Sequence, residues 1–414
     1  MLSWEYPPNL VGGLGRHVNG LAQALSDLGV HVTVLTGAKG EGHVTDDGAV
    51  KVVWSGLPTV WARSFVENIH HLNYALVRDA IALHSEAAFD LIHAHDWSVA
   101  FAAASLKHGF RLPLVATIHA TERGRNLGLG TDEQKYISQG DWFLAFEGWK
   151  VICCSEAMRK EVMDYISVPP DKIRVIPNAT HPENFTSHFN RKLFRSKFVK
   201  EDEKLVLFVG RLVYEKGVHV LLRAAARLNK KSPQARFVLV GKGNPAWYRR
   251  VASQAGVSER VTFLESCPDR TLWNLYRAAD VAVFPSLYEP FGMVAIESMA
   301  AGTLTLVSDV GGLAEIVEHG VDGIKFPPGD EVALAKLLQT VLANGLSTQA
   351  ICRRARDKVR RLYTWPSVAQ ETLKLYRSVL QQRRRTPWHD HLSPPDVNDL
   401  HSPGSGGPIA PGKE

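Results

Sequence analysis

The sequence predicts an α/β fold in which two doubly wound domains face each other across a cleft. The chain has 414 residues, too long for one typical core, and 45% of them are hydrophobic. Stretches rich in β-branched residues alternate with amphipathic helical stretches, which is typical of a parallel sheet covered by helices on both faces. Because this alternation restarts after residue 200, we expect two such domains, with the carboxyl ends of both sheets along one cleft.

The order of strands and helices defines the first domain. A short strand over residues 2–4 leads into a glycine-rich turn, and residues 15–28 place apolar side chains on one face at helical spacing. Strand-like stretches follow at residues 30–36, 90–95 and 114–119. Helical stretches between them would cover the sheet.

The second domain repeats the same order. Residues 204–209 read as a buried strand, and residues 217–228 have apolar side chains at helical spacing. Further strand-like stretches lie at residues 237–240, 281–284 and 303–308. We therefore predict a second parallel sheet with its own helical cover.

The boundaries follow from changes in composition. Apolar periodicity weakens around residues 182–202, so we predict a first domain over 1–190 and a second over 200–365. A last amphipathic helix is expected within 366–385. The remaining residues, 386–414, are dominated by Pro, Gly, Ser, Asp and His, and we expect a disordered tail.

Composition excludes several classes of protein. The start of the chain lacks the long apolar stretch of a signal peptide, and no run of eighteen apolar residues occurs, which favours a cytoplasmic, soluble protein. The four cysteines show neither C-x-x-C spacing nor a histidine pattern for zinc, and a disulfide framework is not expected. The formal net charge of +6 comes without a clustered basic face carrying aromatic platforms, so we expect no nucleic-acid partner. Weak attraction to an anionic membrane surface stays open.

The first chemical motif is the glycine-rich stretch Val11-Gly12-Gly13-Leu14-Gly15, between the short first strand and the first helix. Glycines let a backbone approach a ligand closely, and a helix N-terminus offers unpaired N–H groups to a negative charge. The alternative is a tight turn without a ligand. The residues alone leave both readings open.

The second motif directly follows the first strand of the second domain. Arg211 and Lys216 lie five residues apart in the stretch GRLVYEKG, at the start of a helix. Two permanent cations aimed into the cleft can hold a diphosphate and stabilise charge that develops on it. The alternative is a pair of solvated surface cations.

The third motif spans residues 286–297 and contains two carboxylates. Pro290 excludes Glu289 from a regular helix, and a helix can start near Gly292 and carry Glu297. At helical rise the two acids would lie about 12 Å apart, farther than the roughly 5 to 9.5 Å that glycoside hydrolysis requires. They are better placed to contact two parts of one elongated ligand. An anion at the helix start would face the amides of Phe291, Gly292 and Met293.

This third stretch resembles the E-x7-E signature of retaining glycosyltransferases with the GT-B fold, in which two Rossmann-like domains face each other across a cleft. The chain is similar in particular to glycosyltransferase family 4 and its glycogen synthase-like relatives. The resemblance runs through nearly the whole chain except the last thirty or so residues. Supporting matches are SWEYPPNLVGGLGRHV, HAHDW, TIHATERGR, CCSEAMRKEV, VIPN, FVGRLVYEKG, DVGGLAEIV and YTWPSVAQ.

The resemblance implies a role for each motif in binding a nucleotide diphosphate sugar. His119 would approach the sugar at the bond to be broken, Arg211 and Lys216 would grip the diphosphate, and Glu289 would contact sugar hydroxyls. Glu297 would accept hydrogen bonds from the ribose. Further donor contacts would come from Gly12, Gly13, Leu14, Gly241, Phe291, Gly292, Met293 and Val294.

The resemblance also implies the type of reaction. Members of the family need no metal cofactor and retain the anomeric configuration, and their last helix crosses back onto the first domain. Bacterial-type glycogen synthases have Lys where this chain has Val11, so we expect a different donor phosphate contact here.

We expect a retaining transferase that moves a hexose, with glucose favoured, from a nucleotide diphosphate sugar onto a carbohydrate acceptor, with an α-glucan favoured. The alternatives are a nucleotide-sugar epimerase of the same fold and a non-catalytic sugar-binding relative. The motifs leave the donor base, the acceptor and the oligomeric state undetermined.

Two groups of residues have simpler readings as well. His93, His95 and Asp96 could be mistaken for metal ligands, but alternate positions at a strand end more often line a cleft or pack. Four aromatic residues between 125 and 150 fit either an acceptor-stacking surface or a local core, namely Tyr136, Trp142, Phe146 and Trp149.

Overall fold

Helices and strands alternate along the chain in the computed structural model, which describes residues 1–38, 40–57, 62–228, 234–343 and 348–389. In the first half the elements are α1 (Gly13–Asp27), β1 (Thr33–Gly37), β2 (His43–Asp47), β3 (Val50–Ser55), α2 (Phe65–Glu86), β4 (Ile92–His95), α3 (Ala100–Phe110), β5 (Leu114–Ile118), α4 (Glu122–Arg125), α5 (Asp132–Glu147), β6 (Lys150–Cys153), α6 (Glu156–Glu161) and β7 (Ile173–Val175).

A short helix, α7 (Arg191–Arg195), leads into the second half. The elements there are β8 (Lys204–Val209), α8 (Val218–Ala226), β9 (Ala235–Val240), α9 (Pro245–Gln254), β10 (Val261–Leu264), α10 (Asp269–Ala278), β11 (Val281–Phe284), α11 (Met293–Ala301), β12 (Leu304–Ser308), α12 (Gly311–Ile316), β13 (Ile324–Phe326), α13 (Glu331–Leu342), α14 (Gln349–Leu362) and α15 (Trp365–Arg383).

Two groups of strands in the first half are joined by a single residue near the start of the chain. The groups have the orders β1-β3-β2 and β4-β5-β6-β7, and Leu2 forms parallel bridges to Leu35 in β1 and to Ala94 in β4. Leu2 is the bridging residue, and the adjoining backbone groups of Met1 and Ser3 hydrogen bond to Leu35, so the strand predicted over residues 2–4 is reduced to this bridge. The chain turns away after it, where the Ser3 hydroxyl donates a hydrogen bond of 2.7 Å to the Glu5 carbonyl.

The strands of the second half form one parallel sheet in the order β10-β9-β8-β11-β12-β13. The order runs outward on both sides from β8 and β11, so the loops after these two strands meet at the centre of the carboxyl edge. Both predicted motifs of this half lie in those loops, because β8 ends at Val209 and β11 ends at Phe284.

Most predicted elements exist, with shifted ends. The helix predicted over 217–228 begins only at Val218, because Gly217 adopts a positive φ of 66° after a 3-10 turn at Tyr214–Lys216. The hairpin of β2 and β3, with the exposed edge strand β2, was not assigned from the sequence. Other short turns are 3-10 helices at Trp97–Val99, Pro170–Lys172, Pro182–Phe185, Ser258–Arg260 and Pro387–His389 and a π-helical turn at Val162–Ile166.

The last helix, α15, packs against α1 from the other end of the chain. Gly20 of α1 allows this close contact, because a Cβ atom there would lie 2.2 Å from the Trp365 ring. Val368, Leu375 and Val379 continue the buried face of α15. Most of the predicted tail, from residue 390 onward, lies outside the described residues. Within the described ranges, no helix combines the length and apolar character needed to cross a membrane.

Candidate active site

The carboxyl edges of the two sheets enclose a cavity of about 580 Å³. Its walls come from both halves of the chain, so it is the cleft expected from the sequence. All of the predicted site residues line it, namely Gly12, Gly13, Leu14, His119, Arg211, Lys216, Gly241, Glu289, Phe291, Gly292, Met293, Val294 and Glu297. Tertiary folding thus brings three motifs that are distant in sequence to one place.

The glycine-rich turn is held open toward the cavity by Glu5. One Glu5 carboxylate oxygen accepts hydrogen bonds from the N–H groups of Val11 at 2.8 Å and Gly12 at 3.0 Å. A Cβ atom added at Gly12 would meet nothing within 4 Å, so packing does not explain this glycine. At Gly13 an added Cβ would lie 3.2 Å from the Met293 sulfur across the cleft. These observations favour a ligand-facing turn over a turn required only by the fold.

The two predicted cations are each paired with a carboxylate. Lys216 Nζ lies 2.7 Å from Glu289 Oε2, and Arg211 Nη2 lies 2.9 Å from Glu215 Oε1. The Lys216 side chain is only 18% exposed, which excludes a solvated surface cation. Gly217 fixes its position, because a Cβ atom there would lie 1.8 Å from the Pro285 carbonyl oxygen. The Arg211 side chain is 39% exposed and faces the open part of the cleft.

The two glutamates of the E-x7-E stretch have separate surroundings. Glu289 precedes the helix and accepts hydrogen bonds from Lys216 and from the Ser286 hydroxyl at 3.1 Å. Glu297 lies within α11 and accepts a hydrogen bond of 2.8 Å from the Tyr276 hydroxyl. Burial raises the pKa of Glu297, and the charge of Arg16 partly opposes this. Because α11 begins only at Met293, a helical rise over all eight residues does not describe the spacing of the pair.

The start of α11 is open to the cavity. Its N-cap residue, Gly292, has a φ of 113°, and no side chain caps the helix. A Cβ atom at Gly292 would also lie 2.5 Å from a Leu313 methyl carbon, so both conformation and packing require glycine. Uncapped N–H groups at a helix start attract an anion.

His119 follows β5 and faces the cavity from the first half. Its backbone N–H donates to Asp96 Oδ1 at 2.7 Å, and its Nε2 lies 3.2 Å from His95 Nδ1. Burial, aided by the charge of Arg125, lowers the pKa of His119 to about 3. The imidazole is therefore neutral at physiological pH and can donate or accept a hydrogen bond.

His93 and Asp96 have structural partners. His93 contacts the Tyr376 hydroxyl at 2.6 Å and the Thr117 hydroxyl at 2.7 Å. Asp96 forms a salt bridge of 3.1 Å with Arg125. These contacts fit the packing reading for His93, whereas Asp96 also lines the cavity, as the cleft-lining reading expects. His95 differs, because its Nε2 is buried without a hydrogen-bond partner among the described residues.

The four aromatic residues of the 125–150 region do not line the cavity. Trp142 and Phe146 are exposed and stack on each other with ring centroids 5.1 Å apart. Tyr136 contacts His70, and Trp149 packs against a buried cluster near α1 and α15. Their acceptor-stacking reading therefore has no support within this cleft.

Several cavity residues were missed from the sequence. Arg16 lies one residue after the glycine-rich turn and forms a salt bridge of 2.6 Å with Asp269 across the cleft. Lys242 follows β9 and points toward the Leu10 carbonyl at 3.5 Å. The sequence contains a pattern that could have identified Lys242, because Gly241-Lys242 after β9 repeats the Gly210-Arg211 pair after β8. Within the described part of the chain, no carboxylate lies within 4.0 Å of Lys242, so its charge is available to a ligand.

Comparisons with known proteins agree with this architecture. A family model described as Glycosyltransferase Family 4 matches residues 11–184, and one described as Glycosyl transferases group 1 matches residues 189–358. An uncharacterized glycosyltransferase of Methanocaldococcus jannaschii is 36% identical over 395 residues, which cover 93% of this chain and 99% of the relative. A glycogen synthase of Mycobacterium tuberculosis is 32% identical over 416 residues, covering 95% and 99%.

A solved structure supports the same arrangement of the chain. The sucrose-phosphate synthase of Thermosynechococcus elongatus superimposes with a TM-score of 0.81 at 26% identity, over 92% of this chain and 98% of that one. The two matched segments, the full-length relatives and the two facing sheets together show that the chain belongs to glycosyltransferase family 4 and is a transferase with the GT-B fold.

Proposed function

We propose that this enzyme moves glucose from a nucleotide diphosphate sugar onto a carbohydrate acceptor with retention of configuration, and that the favoured acceptor is an α-glucan. The observation that carries the proposal is the composition of the cleft. Cations from two neighbouring strand ends, an uncapped helix start and two separately held glutamates all face one elongated cavity. The likeness to a protein named glycogen synthase over 95% of the chain supports the sugar and the acceptor.

The diphosphate would lie against Arg211, Lys216 and Lys242. Arg211 follows β8 and Lys242 follows β9, which pair as neighbours, so both side chains start from the same edge. The amides at the start of α11 would face the same anion. Bacterial-type glycogen synthases have a lysine in the first half, at the position of Val11. In this chain Lys242, from the second half, would supply a phosphate contact instead.

The acids would hold the two ends of the donor. Glu297, with its Tyr276 contact, is suited to bind the ribose hydroxyls, and Glu289 is suited to bind the sugar hydroxyls beside His119. A neutral His119 can hydrogen bond to the sugar without adding positive charge next to the forming oxocarbenium centre.

In the proposed reaction the bond from the sugar anomeric carbon to the diphosphate oxygen breaks, and the acceptor oxygen forms a bond to that carbon on the same face. The acceptor hydroxyl proton passes to the departing phosphate oxygen. Arg211 and Lys216 stabilise the negative charge that grows on the diphosphate, so the step needs no metal cofactor. The free cysteines fit a reducing compartment, and we place the reaction in the cytoplasm.

A donor panel tests this proposal. Purified protein is incubated with ADP-, UDP- or GDP-glucose, with and without a soluble α-glucan, and nucleotide diphosphate release is measured in excess EDTA. We expect acceptor-dependent release with at least one donor, undiminished by EDTA. Loss of release in EDTA would contradict the metal-independent mechanism.

The same assay separates the alternatives. An epimerase would convert the sugar nucleotide into its isomer without release, which chromatography of the nucleotide sugars detects. A non-catalytic relative would bind a donor and produce neither change. Release that depends on another acceptor, such as a sugar phosphate, would contradict the α-glucan assignment alone.

A further inference from the structure

Three histidines from different elements converge behind the cleft. His17 comes from α1, His95 ends β4, and His119 follows β5. Their ring nitrogens offer three ligand atoms that all lie within 4.8 Å of one another. The tightest pair is His95 Nδ1 and His119 Nε2 at 3.2 Å, and the ring centroids of His17 and His119 are 4.6 Å apart.

Packing alone does not explain why these polar ring nitrogens are buried with so few hydrogen bonds. His17 is only 4% exposed, and neither of its ring nitrogens makes a hydrogen bond of good geometry with the described residues, although the Asn178 side chain lies beside the ring. His95 Nε2 is buried and unpartnered in the same way. Unpaired buried polar groups are costly and usually have a partner. The neighbouring His93, equally buried, meets this rule through Tyr376 and Thr117.

The state of the rings suits a metal ion. Burial lowers the pKa of His17 and His95 well below the usual value, so both rings are neutral and have a lone pair to donate. Neutral imidazole is a common ligand for zinc and related dications. Zinc–nitrogen bonds of about 2.0–2.1 Å in tetrahedral geometry separate two nitrogens by about 3.3 Å. His95 Nδ1 and His119 Nε2 already have this spacing, although they share a hydrogen bond. An ion would replace the shared proton, which would move to the other nitrogen of the donor ring. The third ligand atom, from His17, lies within 4.8 Å of these two.

The group borders the cleft through one of its members. His119 lines the cavity, whereas His17 and His95 are buried beside it. Asn178 also lines the cavity beside His17, and its buried side-chain oxygen makes no hydrogen bond of good geometry with the residues described. It could accept a hydrogen bond from a water molecule on such an ion.

We propose that His17, His95 and His119 form a site for a transition-metal dication such as Zn²⁺, and that occupancy inhibits the enzyme by engaging His119. The ion is an inhibitor, not a cofactor, and the site gives the transferase a sensitivity to free zinc. The inhibition rests on the role proposed for His119 in donor binding, but the binding site itself does not.

Direct metal binding tests the site. Protein freed of metal with EDTA and dialysed is titrated with Zn²⁺ against a chromogenic zinc chelator, and separately with Co²⁺ while its visible absorption is recorded. We expect one Zn²⁺ per chain and the intense absorption of tetrahedral Co²⁺. His17→Gln should lose at least about 100-fold in affinity, since even outer-shell partners of a metal site contribute 10- to 100-fold. His31→Gln, at an exposed position before β1, is the matched control and should bind as the wild type.

Two outcomes would overturn the site. One is equal zinc affinity of the wild type and His17→Gln, and the other is a Co²⁺ spectrum that stays that of the aqueous ion. His95→Gln provides a second variant if His17→Gln unfolds early in a thermal scan, and it should lose affinity to a similar degree.

The inhibitory consequence has its own readout. In the nucleotide release assay, Zn²⁺ should raise the donor KM of the wild type, and EDTA should reverse the effect. Binding without inhibition would overturn the role of His119 but leave the site intact. Because binding is measured without substrate, a protein inactive with every donor would still report on the metal site.

Discussion

At the scale of single residues, the ion pair between Lys216 and Glu289 joins two of the side chains that we propose bind the donor. Both side chains are mostly buried, and their charged atoms are 2.7 Å apart. Removal of either partner leaves an uncompensated buried charge as well as a lost ligand contact. The pair therefore couples the sugar side of the cleft to the diphosphate side.

We predict that Lys216→Ala and Glu289→Ala each lower the rate of nucleotide diphosphate release at least about 100-fold, equivalent to about 2.7 kcal/mol. Lys216→Ala loses stabilisation of the charge that grows on the diphosphate, whereas Glu289→Ala loses contacts to the sugar hydroxyls and leaves Lys216 without its partner. Steady-state release assays with the preferred donor measure the effect. Lys216→Met and Glu289→Gln preserve side-chain volume and serve if the alanine variants fold poorly.

The matched control is Lys160→Ala, on the exposed surface of α6, where Lys160 forms a salt bridge with Asp164. It should keep wild-type activity. If both Lys216 and Glu289 variants also turned over at the wild-type rate, the site assignment would be wrong.

Residue-level prediction depended on position relative to strand ends. Arg211 was found because it follows a predicted strand, and Lys216 because it lies at the start of the next helix, since ligands bind at this edge in such folds. The same rule would have found Lys242. The role of His119, at the end of a predicted strand, came from the family resemblance. No comparable pattern in the sequence indicates Arg16. Its position at the cleft is recognised from its salt bridge with Asp269, which is 253 residues away in the chain.

At the scale of elements, the contact of α1 with α15 joins the two ends of the chain. Gly20 has a helical backbone, so alanine there would improve helix propensity in isolation. In the folded protein, however, the added methyl group would overlap the Trp365 ring. Packing and propensity therefore oppose each other at this position.

We predict that packing dominates, so that Gly20→Ala lowers the free energy of unfolding by about 1–3 kcal/mol, the usual cost of overpacking a core. Urea denaturation followed by circular dichroism measures the change. The control is Gly109→Ala in α3, where an added Cβ meets nothing within 4 Å. That variant should instead raise the free energy of unfolding by up to about 1 kcal/mol. An unchanged or raised value for Gly20→Ala would show that α15 does not depend on this contact.

Elements with a strong hydrophobic pattern in their own sequence were predicted well. An element that is stabilised mainly by pairing with an adjacent strand was not predicted. The strand over residues 281–284 and the one over 204–209 match the structure at both ends. The edge strand β2 is mostly exposed and lacks alternating burial, so its residues carry no period-2 signal. It exists because it pairs with β3, which a local pattern does not record.

At the scale of the whole molecule, polar contacts hold the two halves together around the cleft. The Tyr288 hydroxyl, from the second half, donates a hydrogen bond of 3.0 Å to Glu161 of α6. Thr121 donates to the same carboxylate. Glu315 of α12 accepts from the backbone N–H groups of Glu156 and Ala157 at the start of α6. The first half is thus tied to the second near α6.

The contact at Glu161 makes stability depend on pH. Burial raises the pKa of Glu161 above its ordinary value of 4.5, although the bonds from Thr121 and Tyr288 oppose this. The folded state therefore holds the proton more tightly than the unfolded state. The contribution of this group is fully present below about pH 4.5 and is lost as pH rises through the folded pKa.

We predict that Glu161→Gln, which keeps an acceptor oxygen but cannot ionise, gains stability relative to the wild type as pH rises from 4.5 toward neutrality. Thermal unfolding of both proteins across this range measures the difference. Glu133→Gln, at an exposed position of α5, should give a curve parallel to the wild type. A difference between Glu161→Gln and wild type that stays constant with pH would contradict the raised pKa.

The sequence by itself determined the α/β class, the positions of most strands and helices, and the family, because periodicity and motif spacing are properties of single segments. Only the tertiary structure decided which groups meet. It joined two strand groups through Leu2, paired Lys216 with Glu289, and gathered three histidines from separate elements. Such contacts depend on how sheets and helices pack, and residues far apart in the chain carry no local pattern that records them.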